Sequence, residues 1–258
     1  MTNEYMLKVA MEQSAIDIGC EVADFCKDKN VVVPFKLGKK SKKYYTPHIA
    51  CNFISYGNNI VAGATDACAD IVKEYVDRFQ FYHCFETPNM YWLNERLNPL
   101  GYCVCFMAEY YLPDINKLVE RTCDFELRVV GPAEFKDLYL PEWSNALSEE
   151  RKELDVLGVG AYDGDKLVGL AGCSSDAEEM WQIGVDVLPE YRRKGIASSL
   201  TVKLAREIIE RDKVPFYCTA WSNIRSVRNA FKSGFIPTWA ELTCKPIKTI
   251  NEMNEGKK

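Results

Sequence analysis

An apolar run, Trp181-Gln182-Ile183-Gly184-Val185-Asp186-Val187, passes through Pro189-Glu190-Tyr191 into Arg192-Arg193-Lys194-Gly195-Ile196-Ala197. A segment follows whose apolar residues Ile196, Leu200, Leu204 and Ile208 recur every four positions, the spacing of one face of a buried helix. A strand joined this tightly to an amphipathic helix fixes a strand–turn–helix unit around which the rest must pack. The first amides of such a helix lack carbonyl partners, and the helix dipole is positive at that end. Gly195 has no side chain to obstruct an approaching group. Together these features describe a cradle for an anion the size of a diphosphate. Arg192, Arg193 and Lys194 add a local positive field to a chain of formal charge −5. The competing reading is an ordinary solvated basic turn.

The segments around this unit alternate between helical and strand spacing. Before it, Phe125 to Val130 reads as a strand, Pro132 to Leu138 as a helix, and Leu157–Ala161 and Lys166–Cys173 as strands joined by the turn Asp163-Gly164-Asp165. After it come a strand over Pro215–Trp221, a helix over Ile224–Lys232 and a strand over Phe235–Thr243. The first 120 residues follow a separate pattern. Helices are expected over Thr2–Ser14, Glu21–Lys27, Asp66–Phe79 and Pro88–Leu97, with strands at Val31–Pro34, His48–Tyr56, Ile60–Ala62 and Cys103–Leu112. The expected fold is α/β of the α+β kind. It divides into an N-terminal α+β domain (residues 1–121), a C-terminal domain (residues 122–248) and a polar, frayed tail (residues 249–258).

Composition excludes several classes. At 258 residues and 47% hydrophobic content the chain can build a substantial core without staples. The acidic balance argues against a protein that wraps nucleic acid, and the basic loop Lys36–Lys43 reads as a flexible hairpin tip. Eleven cysteines, an odd number placed mostly in apolar runs, indicate free thiols in a reducing compartment, hence a cytoplasmic protein without disulfides. No run approaches the roughly 18 apolar residues of a membrane helix, so no membrane partner is expected. His48 and His83 lack ligand spacing around them, and no metal is expected.

The C-terminal half resembles the GCN5-related N-acetyltransferase (GNAT) superfamily. The resemblance rests on Val187-x-Pro189-x-Tyr191-Arg192-x-x-Gly195-x-Ala197, on Asn223-x-x-Ser226 followed by Gly234-Phe235, and on the order of strands and helices over Phe125–Thr243. Bacterial two-part members, whose N-terminal half is a separate or degenerate unit, are the most similar. The resemblance implies a mixed, splayed sheet with helices on both faces and acetyl-CoA as cofactor. It places the pantetheine arm on Val185 and Val187, the diphosphate on Arg192, Arg193, Lys194, Gly195, Ile196 and Ala197, and the pantetheine or thiol end near Asn223 and Ser226, Asn223 being also a natural helix N-cap.

The resemblance implies an N-acetyltransferase acting on the amine of a small-molecule or amino-acid-like acceptor by direct attack in a ternary complex. Two residues depart from the family pattern. Ala230 stands where many members carry a proton-donating Tyr, and Trp181 where many carry a Glu base. Asp186 is the leading candidate for the base, against a reading as a structural carboxylate bonded to a helix start. Glu178 and Glu179, Tyr217, Tyr191 or the N-terminal half are the other sources. Trp143, Trp181, Tyr217 and Trp221 are candidates for acceptor contact through cation–π attraction, against a reading as core aromatics. The alternative function is an acyl-CoA-binding sensor that has lost catalysis. Either a monomer or a homodimer is compatible with the sequence.

Overall fold

The computed structural model describes residues 1–45 and 48–256. In chain order the regular elements are α1 (Asn3–Ile18), β1 (Val31–Pro34), β2 (Cys51–Ser55), β3 (Val61–Ala64), α2 (Ala69–Arg78), α3 (Thr87–Leu97), β4 (Tyr102–Pro113) and β5 (Glu126–Val130). They continue with a single turn α4 (Pro132–Phe135), β6 (Asp155–Asp163), β7 (Lys166–Ser174), β8 (Met180–Val187), α5 (Ile196–Ile209), β9 (Val214–Thr219), α6 (Ile224–Lys232), β10 (Phe235–Pro246) and α7 (Ile247–Glu255). Among the described residues no helix is long and apolar enough to cross a membrane.

The chain forms two compact units, one made of Met1–Val9 with Tyr110–Pro237, the other of Ala10–Glu109 with Thr238–Lys258. These boundaries are drawn differently from the expected division. Residue 121 lies inside the first unit, and the end of β10 belongs with the N-terminal region because Ala240–Cys244 pair antiparallel with Ser55–Cys51 of β2. The expected frayed tail is also corrected: α7 occupies Ile247–Glu255, its start tied by the Ile247 amide to the Gly101 carbonyl at 2.9 Å. The last two residues of that expected tail lie outside the described residues. Tail polarity misled because a helix end can be solvated all round and still be held at its base.

In the first unit β5, β6, β7 and β8 are antiparallel in that order, and β8 then pairs parallel with β9. Helix α5 covers one face, its Ile196, Leu200, Leu204 and Ile208 packing with Val159, Ala171, Ile183 and Tyr217. Fully burying each such aliphatic side chain contributes about 1.5–3 kcal/mol. The opposite face is covered by the segment around Trp143–Leu147, which packs with Phe135, Val130 and Leu170. The result is the expected mixed sheet with helices on both faces.

The second unit is an α+β layer with strand order β1-β3-β2-β10. The hairpin of β2 and β3 turns at the predicted position, around Gly57 with φ of 100°. Helices α2 and α3 supply Val72, Tyr75, Leu93 and Leu97 to a core shared with Phe53, Ile60 and Leu242. The basic loop is not the flexible tip expected. Ser41 and Lys42 are buried, and no strand lies between Pro34 and Cys51 among the described residues. Interleaved lysines conceal burial from a reading by charge alone.

Candidate active site

Strands β8 and β9 part company halfway. Their parallel register runs from Met180↔Val214 to Ile183↔Tyr217 and stops there, although β8 continues to Val187. On its other edge β8 stays paired with β7 through Gly169↔Val187. Residues Gly184–Val187 therefore keep one ladder and present the other edge to a cleft. An unpaired strand edge is a row of donors and acceptors that an extended amide-bearing ligand can satisfy.

The cradle stands at the far end of the same strand. A short turn over Pro189–Tyr191 leads into Arg193, at φ of 65°, and Gly195, at φ of 82°. A left-handed non-glycine residue is uncommon and costs roughly 1–2 kcal/mol, and Arg193 adopts it here as Asp212 does after α5. None of the amides from Arg193 to Ser198 donates to another backbone carbonyl of the described chain. A Cβ built on Gly195 would meet nothing within 4 Å, so space is open beside this residue. The cradle thus fits a diphosphate. The three cations divide their tasks. Arg192 Nε donates to the Val187 carbonyl at 3.1 Å, and Lys194 lies over the rings of Tyr191 and Phe125, at 4.9 and 5.7 Å. Arg193 is exposed at the tip.

At the apex of the cleft, Tyr217 is 4% exposed and its hydroxyl lies 2.8 Å from Ser226 Oγ. Burial raises its phenol above the ordinary value, opposed by hydrogen bonds with Ser226 and Asn229. Tyr217 therefore stays protonated through neutral pH. Asn223 caps α6 by accepting from the Ser226 amide at 3.3 Å, so the predicted Asn223/Ser226 pair meets Tyr217 at one point. Ala230 is fully buried in the same core.

Asp186 faces the other side of the sheet. One oxygen accepts from the amides of Asn145 (2.8 Å) and Ala146 (3.0 Å), and the other from Asn145 Nδ2 (2.7 Å). The same segment presses directly on the strands: a Cβ at Gly184 would lie 1.7 Å from the Asn145 carbonyl oxygen, and one at Gly172 would lie 2.1 Å from that of Ala146. Gly172 and Gly184 are cross-strand partners. This glycine pair, at which the Asn145–Ala146 backbone crosses two strands without side chains between, was not read from the sequence; two glycines twelve residues apart carry no signal until register is known.

The predicted aromatics separate. Trp143 is buried in the core with Phe135 and Leu170, Trp181 packs against the α5 core, Tyr217 is at the cleft apex, and Trp221 is 55% exposed beyond the end of β9. Of the other candidate carboxylates, Glu179 pairs with Lys213 at 3.0 Å. Tyr191 donates its hydroxyl to Asp163 at 3.0 Å, well away from Tyr217 in the register.

Residues 115–235 match the acetyltransferase (GNAT) family model. No curated protein matches the chain in sequence. Among solved structures, a GCN5-related N-acetyltransferase from Kribbella flavida aligns over 80% of this chain and 90% of its own, with a TM-score of 0.50 and 12% identity. A GNAT-family acetyltransferase from Colwellia psychrerythraea aligns over 56% of each chain (TM-score 0.43, 16% identity). An aminoglycoside N-acetyltransferase solved with CoA aligns over 46% of this chain and 93% of its own (TM-score 0.36, 18% identity). The chain spans less than two thirds of some of these relatives, 56% of the Colwellia protein and 66% of a GNAT-family protein from Novosphingobium aromaticivorans. The parted strands, the amide-lined turn and the matched segment lead to one assignment: residues 115–235 form a domain of the GNAT acetyltransferase family.

Proposed function

We propose that the protein is an acetyl-CoA-dependent N-acetyltransferase whose acceptor is a small molecule bearing a primary amine, and that transfer is direct within a ternary complex. The observation that carries this reading is the end of β8–β9 pairing at Ile183/Tyr217, beside a turn whose amides lack carbonyl partners. The amides of Arg193–Ser198 would hold the diphosphate, and the open edge of Gly184–Val187 the amide tail. Bound there, the cofactor supplies an acetyl group on a thioester.

The chain's own residues perform three tasks. Tyr217, protonated at its hydroxyl and hydrogen-bonded to Ser226, stands at the cleft apex and would take the role left open by Ala230. Asp186, engaged by three donors, holds the Asn145–Ala146 segment in position; the base role expected for it gives way to a positioning role. The two substrates would meet at the gap where β8 and β9 part, the cofactor reaching it from the α5–α6 face and the acceptor from the Asn145 face. Eleven cysteines fit a reducing, cytoplasmic setting.

A second reading is favoured by two observations. Ala230 and Trp181 occupy positions where the family's acid and base usually stand, and both are packed into the core. Such a domain would bind acyl-CoA and sense it without turning it over. Free-thiol release from acetyl-CoA across a panel of primary amines separates the two: amine-dependent release supports the enzyme, and tight CoA binding without it supports the sensor. Gly195→Asp tests both at once. A side chain and a negative charge in the cradle should abolish CoA binding by calorimetry while the far-UV spectrum stays native, and undiminished affinity would refute the placement.

A further inference from the structure

A polar network joins α5 and α6 to Tyr217. Asn223, Ser226 and Asn229 recur every three residues, so they stand in a row along α6. Ser226 Oγ lies 2.8 Å from the Tyr217 hydroxyl, at the last position where β9 is paired with β8. One step further along the row, Asn229 Nδ2 donates to Thr201 Oγ1 at 3.0 Å, and Thr201 donates to the Ala197 carbonyl at 2.8 Å. Thr201 is fully buried and Asn229 half-buried. The network therefore runs from the start of α5, beside the cradle, to the phenol at the cleft apex.

The direction of each bond follows from the groups involved. Thr201 gives its only hydroxyl proton to Ala197, so its oxygen accepts from Asn229, and the amide must turn its nitrogen toward it. Asn229 also bonds the Tyr217 hydroxyl, in the sense that favours the phenolate, which makes an amide N–H the donor there too. An amide nitrogen carries two hydrogens, and each has a partner. The phenol oxygen thus faces a donor whose orientation is fixed from behind, while Ser226, able to give or to take, stands on its other side. Asparagine is also a weaker helix former than Leu, Met or Ala, any of which would serve packing between two helices.

We propose that Asn229 is a positioning residue for proton delivery: locked by Thr201, its amide fixes the Tyr217 hydroxyl at the parting of β8 and β9 and stabilises the phenolate left when that hydroxyl gives up its proton. The proposal rests on the acetyltransferase reading. In the step it serves, the acceptor nitrogen bonds to the acetyl carbon as the carbon–sulfur bond breaks, the sulfur takes the Tyr217 proton, and the phenolate is reprotonated by the proton that the amine sheds.

The test incorporates difluorotyrosine in place of Tyr217 in the full chain, its fluorines bringing phenol ionisation into the pH range of the folded protein, and follows the titration by fluorine NMR without ligand. Asn229→Leu should raise the midpoint by about one pH unit, a tenfold weaker acid, and Thr201→Val, which frees the amide to turn, should raise it by less. With the natural Tyr217 present, Asn229→Leu should lower kcat for amine-dependent thiol release about three- to tenfold, since general-acid catalysis scales with acid strength, and leave CoA affinity by calorimetry unchanged. An unchanged midpoint in folded Asn229→Leu overturns the proposal, and so does a raised midpoint with undiminished kcat. Where the leucine variant does not fold, Asn229→Ala removes the same donors without adding bulk and is read by the same two criteria. Wild-type protein that releases no thiol with any amine is a different failure, that of the acetyltransferase reading and with it the proton-delivery role, even where the midpoint rises as expected.

Discussion

At the scale of single residues, Asp186 is proposed to position the Asn145–Ala146 segment and not to act as base. Both oxygens are committed to donors of one segment, so proton uptake would break contacts that hold Asn145 and Ala146. Asp186→Asn should therefore raise the KM for the amine several-fold more than it lowers kcat, and should leave the acidic limb of the pH–rate profile in place. A base would show the reverse, a collapse of kcat of about 10²–10⁴-fold with loss of that limb. Asp155 carries a separate, purely structural consequence. Burial raises its carboxyl from 3.8 to about 6, against the Ser148 amide, the Tyr139 hydroxyl and Arg151, which favour the charged form, and with nearby Asp176 opposing it. The folded protein thus binds this proton more tightly than the unfolded chain. The group's contribution is fully present below about pH 4 and is lost as pH rises through 6, a change on the order of 3 kcal/mol. Asp155→Asn should be more stable than wild type at pH 7–8 in urea melts, with the difference gone by pH 4. Much of the cradle was legible residue by residue, because Arg192–Ala197 are contiguous and helix starts obey local rules. The contact of Lys194 with Phe125 and the choice of Asn145 as the partner of Asp186 were not, because each is set by a residue distant in sequence.

At the scale of elements, the crossing of the Trp143–Leu147 segment over β7 and β8 is the feature most sensitive to change. Gly184→Ala would place a methyl group where the Asn145 carbonyl now lies, and Gly172 opposite leaves the segment no room to shift along the sheet. Overpacking of this kind costs about 1–3 kcal/mol, so the variant should melt several degrees lower and lose affinity for the amine acceptor before it loses CoA binding. Equal loss of both ligands would mean that the segment supports the whole domain and not the acceptor side. Periodicity placed β5 to β10 and α5 and α6 to within a few residues, since amphipathic spacing is local. It could not show that β8 and β9 part after Ile183. The letters of Gly184–Val187 are as apolar as those before them, and the parting is a property of the pair.

At the scale of the molecule, two compact units are assembled from four stretches of chain, the first unit taking Met1–Val9 and the second taking Thr238–Lys258. Helix α1 and strands β4 and β10 each run through a boundary between units. A fragment of residues 122–248 should accordingly fold poorly. It lacks the Asn3 side chain that donates to Asp114 and receives the Ile115 amide, lacks Tyr111 from the core, and leaves Ala240–Cys244 without β2. A broad, low-temperature melt is expected for that fragment, where a cooperative transition close to that of the intact chain would show the C-terminal region to be autonomous. The sequence suggested a cut near residue 121 because composition changes there. Pairing between distant strands, which composition does not record, draws the boundary elsewhere.

The open edge of β8 has a consequence for the protein's lifetime. Unpaired extended backbone is a template for other chains, and natural folds normally cover or distort it. A ligand that supplies the missing hydrogen bonds would act as a removable guard over that template. On the proposed function, protein without acetyl-CoA should self-associate and be degraded sooner than loaded protein, which would tie the amount of this polypeptide in a cell to the supply of that thioester.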